Sequence, residues 1–218
     1  GNEAGAGNST TEGFTISMTY EDTLEDVFWK TAEPEDLWVC DKLILSRKLG
    51  YNCGPTGIDV PKPGWYIVRP CINALGLGLG AQKVWLEEET MHLPYGFFWC
   101  EWFEGRHLSV DYKYGKQFLC VEGYKSDSTF TKWDKWTKTN DEIPLPKILN
   151  TFADKYKYMN CEFIDGKLIE VHFRYNEDFE EDITEFIPVW IGEEINPPPG
   201  FRYIKYPDVH GRVGAYVR

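Results

Sequence analysis

The sequence predicts an α+β fold that is built mainly from antiparallel sheets and contains few helices. Apolar runs of strand length recur through most of the chain. Tight-turn pairs such as Tyr114-Gly115 and Asp165-Gly166 separate several of them, which is typical of hairpins. Helix signals are confined to three short segments. The sequence shows no internal repeat and no heptads, so neither a repeat protein nor a coiled coil is expected.

We predict helices at residues 20–32, 34–49 and 147–155. The first has Leu24, Val27 and Phe28 at helical spacing, and acidic residues near its start suit the helix dipole. Pro34 favours the first turn of the second helix, and Gly50 follows it as a stop signal.

The remaining apolar runs predict strands, most of them joined by short turns. We predict strands at residues 65–68, 82–86, 97–103, 108–112, 117–123, 158–164, 167–173 and 183–191, with a final strand pair after a proline-rich turn at 196–200. The polar segment 125–140, which contains the isolated Trp133 and Trp136, is predicted to be a mobile loop.

Composition narrows the class of protein. A length of 218 residues allows one large domain or two small lobes, and a net charge of -12 argues against nonspecific nucleic-acid binding. No stretch has the length and apolar character needed to span a bilayer, so no membrane partner is expected. The six cysteines lack CxxC or zinc spacing and predict reduced core thiols, hence a cytoplasmic protein. Residues 1–13 resemble a flexible lead or tag remnant and not a signal peptide.

Two cations and a glycine run stand beside predicted turns. Lys42 follows Asp41 at a helix, and Arg69 comes directly after the strand at 65–68. The run Gly76-Leu77-Gly78-Leu79-Gly80 would let a backbone approach phosphate oxygens closely and present N–H donors to them. Each also has a plainer interpretation, as a solvated helix pair, a strand-end arginine or an ordinary turn.

Two further segments carry acids within apolar strands. Glu101 stands in the apolar run 97–103, and Glu162 stands in the strand before the Asp165-Gly166 turn. In the strand after that turn, alternation puts Glu170, His172 and Arg174 on one face while the intervening apolar residues face a core. The alternatives are a hairpin with its acids in water and an amphipathic strand with a solvated face.

These five segments, in this order over residues 41–176, resemble the ATP-grasp superfamily, especially its biotin carboxylase and carbamoyl phosphate synthetase branch. The resemblance implies an ATP-grasp-like fold with a nucleotide cleft between two lobes. The lobes would be residues 14–95, with the Asp-Lys pair and glycine-rich loop, and residues 96–218, with an adenine hinge and a metal-binding hairpin.

The resemblance also implies a role for each matched residue. ATP contacts would come from Lys42, Arg69, Gly76, Gly78, Gly80, Glu101, Trp102 and Phe103. Magnesium ligands would come from Glu162, Glu170 and His172. Charge on the transferred phosphoryl group would be stabilised by Arg174, Arg69 and Lys42.

Three features depart from the family pattern. Arg69 replaces the usual lysine, and His172 replaces the usual asparagine. The family's N-terminal α/β domain would not fit into the roughly forty residues before Lys42, so we expect a compact ATP-grasp protein. The acceptor would then be bound by segment 125–140 and the C-terminal part, or by a partner chain, or it would be unusually small or large.

The resemblance implies an ATP-dependent carboxylate–amine ligase that acts through an acyl-phosphate, with ATP and a carboxylate as its substrates. Two alternatives stay open. The departures at Arg69 and His172 suit a reduced, non-catalytic nucleotide-binding protein. The tryptophans suit an aromatic-rich module that binds peptide or carbohydrate. That last hypothesis depends on Trp99, Trp102, Trp133 and Trp136.

Overall fold

The structure is a computed structural model that describes residues 23–72, 80–126, 132–180 and 182–218. Its helices are α1 (Leu24–Thr31), α2 (Lys42–Lys48) and α3 (Asn150–Ala153), with 3-10 turns at Pro34–Cys40 and Lys147–Leu149. Helix α1 begins at a capping box in which Thr23 and Asp26 exchange hydrogen bonds. Helix α2 begins at Asp41, whose carboxylate accepts the Leu43 and Ile44 N–H groups.

The smaller sheet has four antiparallel strands in the order β1-β4-β2-β3. They are β1 (Cys53–Pro55), β2 (Gly64–Pro70), β3 (Gln82–Leu86) and β4 (Phe97–Glu101). Along β2, the side chains of Tyr66 and Val68 pack in a core on one face. By alternation, the side chains of Ile67 and Arg69 project from the opposite face, which lies toward the larger sheet.

The larger sheet has eight strands in the order β11-β12-β10-β7-β6-β5-β8-β9. They are β5 (His107–Lys113), β6 (Lys116–Tyr124), β7 (Lys135–Lys138), β8 (Tyr158–Ile164), β9 (Lys167–His172), β10 (Glu185–Trp190), β11 (Arg202–Val209) and β12 (Arg212–Val217). One face of β5 buries Leu108, Val110 and Tyr112 in the main core together with Phe28 of α1 and Leu45 of α2. The other face is polar and lines a cleft between the two sheets.

The α+β fold with mostly antiparallel sheets is as the sequence predicts. The loop predicted at 125–140 is wrong in part, because β7 lies within it and pairs with both β6 and β10. The helix predicted at 34–49 is interrupted, since Asp41 leaves helical geometry to cap α2. The lobe boundary predicted between residues 95 and 96 falls before β4, which belongs to the smaller sheet.

All six cysteines are free thiols, and five of them are buried, as predicted. Among the described residues, no helix is both long and apolar enough to cross a membrane.

Candidate functional site

A cleft of about 970 Å³ separates the facing sides of the two sheets. Two hydrogen bonds tie its inner end together. The Tyr51 hydroxyl donates to the Leu168 carbonyl at 3.0 Å, and Arg69 Nη2 donates to the Ile169 carbonyl at 2.7 Å. Both acceptors lie on β9, so this strand is held directly against the smaller sheet.

The Glu170 carboxylate lies at the centre of a buried charge cluster at that end. Lys42 Nζ is 3.5 Å and His172 Nε2 is 3.2 Å from Glu170 Oε1, and Arg69 Nη1 is 3.9 Å from Oε2. Burial alone would raise the pKa of Glu170, but His172, Lys42 and Arg69 hold it well below its ordinary value. Burial lowers the pKa of Lys42, an effect that its closeness to Glu170 partly offsets. Glu170 is therefore a carboxylate kept charged by cations in a desolvated place.

His172 is fixed between two carboxylates. Its Nε2 faces Glu170, and its Nδ1 lies 3.6 Å from Oε1 of Glu25 in α1. Glu25 is itself anchored, because its Oε2 accepts the Phe173 N–H at 3.2 Å. Burial would lower the pKa of His172, but Glu170 and Glu25 raise it to about 9. The imidazole is thus held in one orientation with a proton available on either side.

Three side chains here could hold a metal ion. Glu162 and Glu170 are register partners on β8 and β9, and His172 follows two residues later on the same face. One ligand atom from each lies within 4.8 Å of the other two. Glu162 also contacts His107, whose Nε2 is 3.1 Å from its Oε1. Two carboxylates suit magnesium, and His172 could join them as a ligand once it has lost a proton, so these residues fit a divalent cation.

The structure brings most of the predicted site residues to this cleft. Its lining includes Lys42, Arg69, Trp102, Phe103, Glu162, Glu170, His172 and Arg174. Arg174 makes no hydrogen bond or ion pair with any other described residue. Trp102 and Phe103 follow β4 at the cleft's wall, where Lys83 Nζ is 4.5 Å from the Trp102 ring centre.

Two of the predicted phosphate or adenine contacts lie elsewhere. Glu101 pairs with Tyr66, so alternation points its side chain to the other face of the smaller sheet. Its Oε2 accepts the Asn52 N–H at 2.9 Å, away from the cleft. Gly80, with a φ of 80°, packs near Pro70 and is not part of the cleft lining. Gly76 and Gly78 lie outside the described residues.

Sequence reasoning missed a second polar row in the cleft. Asn160 Nδ2 on β8 donates to Ser109 Oγ at 2.8 Å and to Asp111 Oδ1 at 2.7 Å on β5. The Asn176 N–H donates to Asp111 Oδ2 at 2.9 Å. This hydrogen bond fixes the segment that follows β9 against β5. The signal was present, because His107, Ser109 and Asp111 alternate with buried apolar residues as the residues of β9 do.

No protein-family model matches the sequence, and no curated protein matches it. The chain is similar to solved ATP-grasp structures. It is 12% identical to the ATP-grasp ligase PsnB, with a TM-score of 0.43 over 66% of this chain and 54% of that one. It is 18% identical to a protein from Archaeoglobus fulgidus assigned to the ATP-grasp superfamily, with a TM-score of 0.40 over 63% and 46%. For a D-alanine–D-alanine ligase from Bacillus anthracis, the identity is 16% and the TM-score is 0.34 over 62% and 55%. The chain spans about half the length of these proteins.

Proposed function

We propose that the cleft binds ATP with a divalent cation and that the chain is an ATP-dependent carboxylate–amine ligase acting through an acyl-phosphate. One observation carries this proposal. Lys42 and Arg69 converge with the acids Glu162 and Glu170 at one end of a single cleft between two sheets. Cations and metal-capable carboxylates side by side are the chemistry that a polyphosphate needs.

The charges in this cluster suit a triphosphate. Lys42, Arg69 and Arg174 are cations that line the cleft, and Lys42 and Arg69 are largely desolvated, so their attraction to phosphate oxygens is weakly screened. Arg69 donates from Nη2 to the Ile169 carbonyl, and the remaining N–H groups of its guanidinium can bind phosphate. A divalent cation held by Glu162 and Glu170, and by His172 once it has lost a proton, would neutralise charge between these acids and the phosphates.

The wall beside this cluster suits a purine. Trp102 and Phe103 line the cleft directly after β4, and Tyr51 packs edge-on against Phe103 with ring centres 4.8 Å apart. Apolar side chains fit the faces of adenine, and backbone groups of this segment can satisfy its polar edge. The Glu101 carboxylate is not part of this proposal because it points to the other face.

The reaction has two balanced steps. A substrate carboxylate oxygen attacks the γ-phosphorus of ATP, the bond to the β-phosphate oxygen breaks, and ADP leaves with that electron pair. An amine nitrogen then attacks the acyl carbon, the C–O bond to phosphate breaks, and the amine proton leaves with the phosphate. Arg174, Arg69 and Lys42 would stabilise the oxygens that gain charge in the first step. Positioning supplies most of the remaining rate.

The aromatic-module hypothesis has less support. It requires acids scattered on separate faces, whereas Glu162 and Glu170 are register partners at one site. Trp99 is buried, and its Nε1 donates to the Ile58 carbonyl at 2.7 Å, so it is a core residue. The alternative is a nucleotide-binding protein without catalytic activity. Turnover would exclude this alternative, and ATP binding without turnover would support it.

Calorimetric titration with Mg–ATP tests the binding step. We expect Lys42→Met and Arg69→Met to weaken binding at least about tenfold, because each removes a desolvated cation. The matched controls Lys147→Met and Arg47→Met change exposed residues outside the cleft and should bind like the unmodified chain. The absence of heat and of thermal stabilisation at millimolar Mg–ATP would exclude the proposal. ADP formation with pooled carboxylates and amines then separates a ligase from a protein that only binds.

A further inference from the structure

The floor of the cleft beyond the acids is aromatic. His107, Gly123 and Trp136 are register partners on β5, β6 and β7, so they lie in one row on the cleft-facing side. Trp133 folds back over this row. Its ring centre is 4.5 Å from that of Trp136 and 4.6 Å from that of His107. We refer to His107, Trp133 and Trp136 as the aromatic shelf.

Gly123 makes the shelf possible. A Cβ atom at this position would lie 2.7 Å from Cζ3 of Trp133 and 2.8 Å from Cζ3 of Trp136. Glycine inside a strand is unfavourable, and its presence marks a place where another group approaches the backbone closely. Here the two indoles approach it, yet both stay partly exposed and line the cleft. The row therefore forms a platform and not a closed core.

Three cations line the cleft near the shelf, together with acids that are already paired. Lys125 Nζ lies 4.4 Å from the Trp133 ring centre, and Arg174 lines the same cleft without an ion pair to any described residue. Arg212 is paired with Asp178 at 2.8 and 3.1 Å, but its buried Nε has no hydrogen-bond partner among the described residues. Arg174 would thus offer a ligand on the shelf N–H donors that no described residue engages.

The shelf is one side chain away from the metal-capable acids. His107 contacts Trp133 on one side, and its Nε2 is 3.1 Å from Glu162 Oε1 on the other. Neighbouring strands lie about 5 Å apart, so a small molecule with its ring on the shelf could reach the part of the cleft that Glu162 and Arg174 line.

We propose that the aromatic shelf is the subsite for an aromatic carboxylic acid, whose ring packs on Trp133 and Trp136 and whose carboxylate points toward Arg174. That this carboxylate is the group activated by ATP rests on the proposed function; the binding itself does not. Indole faces and edges favour an aromatic ring over a saturated one of similar size. Arg174 favours an acid over an amine, because the nearby acids are already engaged, Glu162 by His107 and Asp178 by Arg212.

Calorimetric titration of the full chain with three probes tests the assignment. Phenylacetate carries a ring and a carboxylate, cyclohexylacetate keeps the charge without the π system, and phenethylamine keeps the ring with the opposite charge. We expect phenylacetate to bind roughly 3–10-fold more tightly than cyclohexylacetate, and phenethylamine to give no measurable binding. Equal affinity for the first two probes, or preference for the amine, would overturn the assignment.

Variants locate the binding. Trp133→Ala and Gly123→Val should each abolish the preference for phenylacetate, while Trp133→Phe should retain most of it. Trp29→Ala, which removes an exposed indole of α1 outside the cleft, is the matched control and should change nothing. A preference that survives Trp133→Ala places the ring elsewhere and contradicts the proposal.

Mg–ATP binding is measured on the same samples. If phenylacetate binds the shelf and Mg–ATP does not bind, the subsite stands and the proposed function fails. If Mg–ATP binds and none of the probes discriminates, the subsite fails and the proposed function stands.

Discussion

Among single residues, Arg69 contacts three partners through one guanidinium group. Nη2 donates to the Ile169 carbonyl at 2.7 Å, Nη1 faces Glu170, and the guanidinium lies over the Phe98 ring at 5.4 Å. A lysine ammonium is a single compact donor group and cannot reach these partners in the same way.

We therefore predict that Arg69→Lys lowers the free energy of unfolding by about 1 kcal/mol, the usual value of one hydrogen bond. It should also weaken Mg–ATP binding, though less than Arg69→Met does. Urea unfolding and calorimetry measure the two effects. Arg47→Lys, at an exposed position of α2, is the control for the charge swap. Unchanged stability and affinity in Arg69→Lys would contradict the bridging role.

The buried carboxyl group of Asp111 predicts that stability depends on pH. Burial raises the pKa of Asp111 from 3.8 to about 6, although hydrogen bonds from Asn160 and the Asn176 backbone act in the opposite direction. The native state therefore holds this proton more tightly than the unfolded state does. Its contribution to stability decreases as the pH rises from about 4 to about 6, by roughly 3 kcal/mol in total.

The comparison with Asp111→Asn isolates this effect from the other carboxylates. Because asparagine does not titrate, the stability of the unmodified chain relative to Asp111→Asn should fall as the pH rises through this window. Urea unfolding at pH 4, 5, 6 and 7 measures the difference between the two proteins. A difference that is constant across these pH values would show that Asp111 titrates normally.

Individual site residues could be predicted where they belong to a local alternating pattern in the sequence. Alternation around Glu170 placed His172 and Arg174 beside it, and the structure brings all three to one cleft. The same alternation in β5 would have found Ser109 and Asp111. Glu25 could not be found in this way, since its contact with His172 joins α1 to β9 across 147 positions of chain (172 minus 25).

At the scale of secondary-structure elements, α2 carries Lys42 into the cleft. Asp41 caps the helix through the Leu43 and Ile44 N–H groups, and the Lys42 N–H donates to the Cys71 carbonyl at 2.8 Å. The first residue of α2 is thus tied to the chain that follows β2. The cap should set the position of Lys42 as well as the stability of the helix.

We predict that Asp41→Ala lowers stability by about 1 kcal/mol, as loss of an N-cap usually does, and also weakens Mg–ATP binding. Thr90→Ala is the control. It removes a buried hydroxyl outside the cleft that donates to the Ile58 carbonyl at 2.8 Å and accepts the Gly57 N–H at 2.9 Å, so it should lower stability and leave affinity unchanged. Equal affinity in both variants would separate the cap from the site.

Helices and strands could be predicted where a local sequence pattern specifies them. They were harder to predict where pairing with a distant strand determines the structure. The hairpin of β8 and β9 follows from its Asp165-Gly166 turn and alternating residues. Strand β7 has only four residues, all of intermediate exposure, and it forms because Trp136 pairs with Gly123 on one side and Phe186 on the other. Such partners, distant in sequence, override the polar composition that predicts a loop.

At the scale of the whole molecule, the acidic chain places several cations where its two sheets meet. The net charge is -12, yet Lys42, Arg69 and Arg174 all line this one cleft. Few direct bonds join the two sheets at this place, and they fall mainly on β9. A bound polyphosphate would therefore add a further link between β2 and β9, because it would contact cations from both sides.

We predict that Mg–ATP slows amide hydrogen exchange in β2 and β9 together. If the ligand bridges the sheets, local opening of either strand also breaks contacts with the ligand. Protection from hydrogen exchange should therefore increase in both strands. Mass spectrometry of deuterium uptake, with and without Mg–ATP, measures this. Lys42→Met should lose the added protection on both strands, whereas Lys147→Met should keep it. If protection increased in only one of the two sheets, the nucleotide would bind to one lobe, and the cleft would not be the site where both act on the same phosphates.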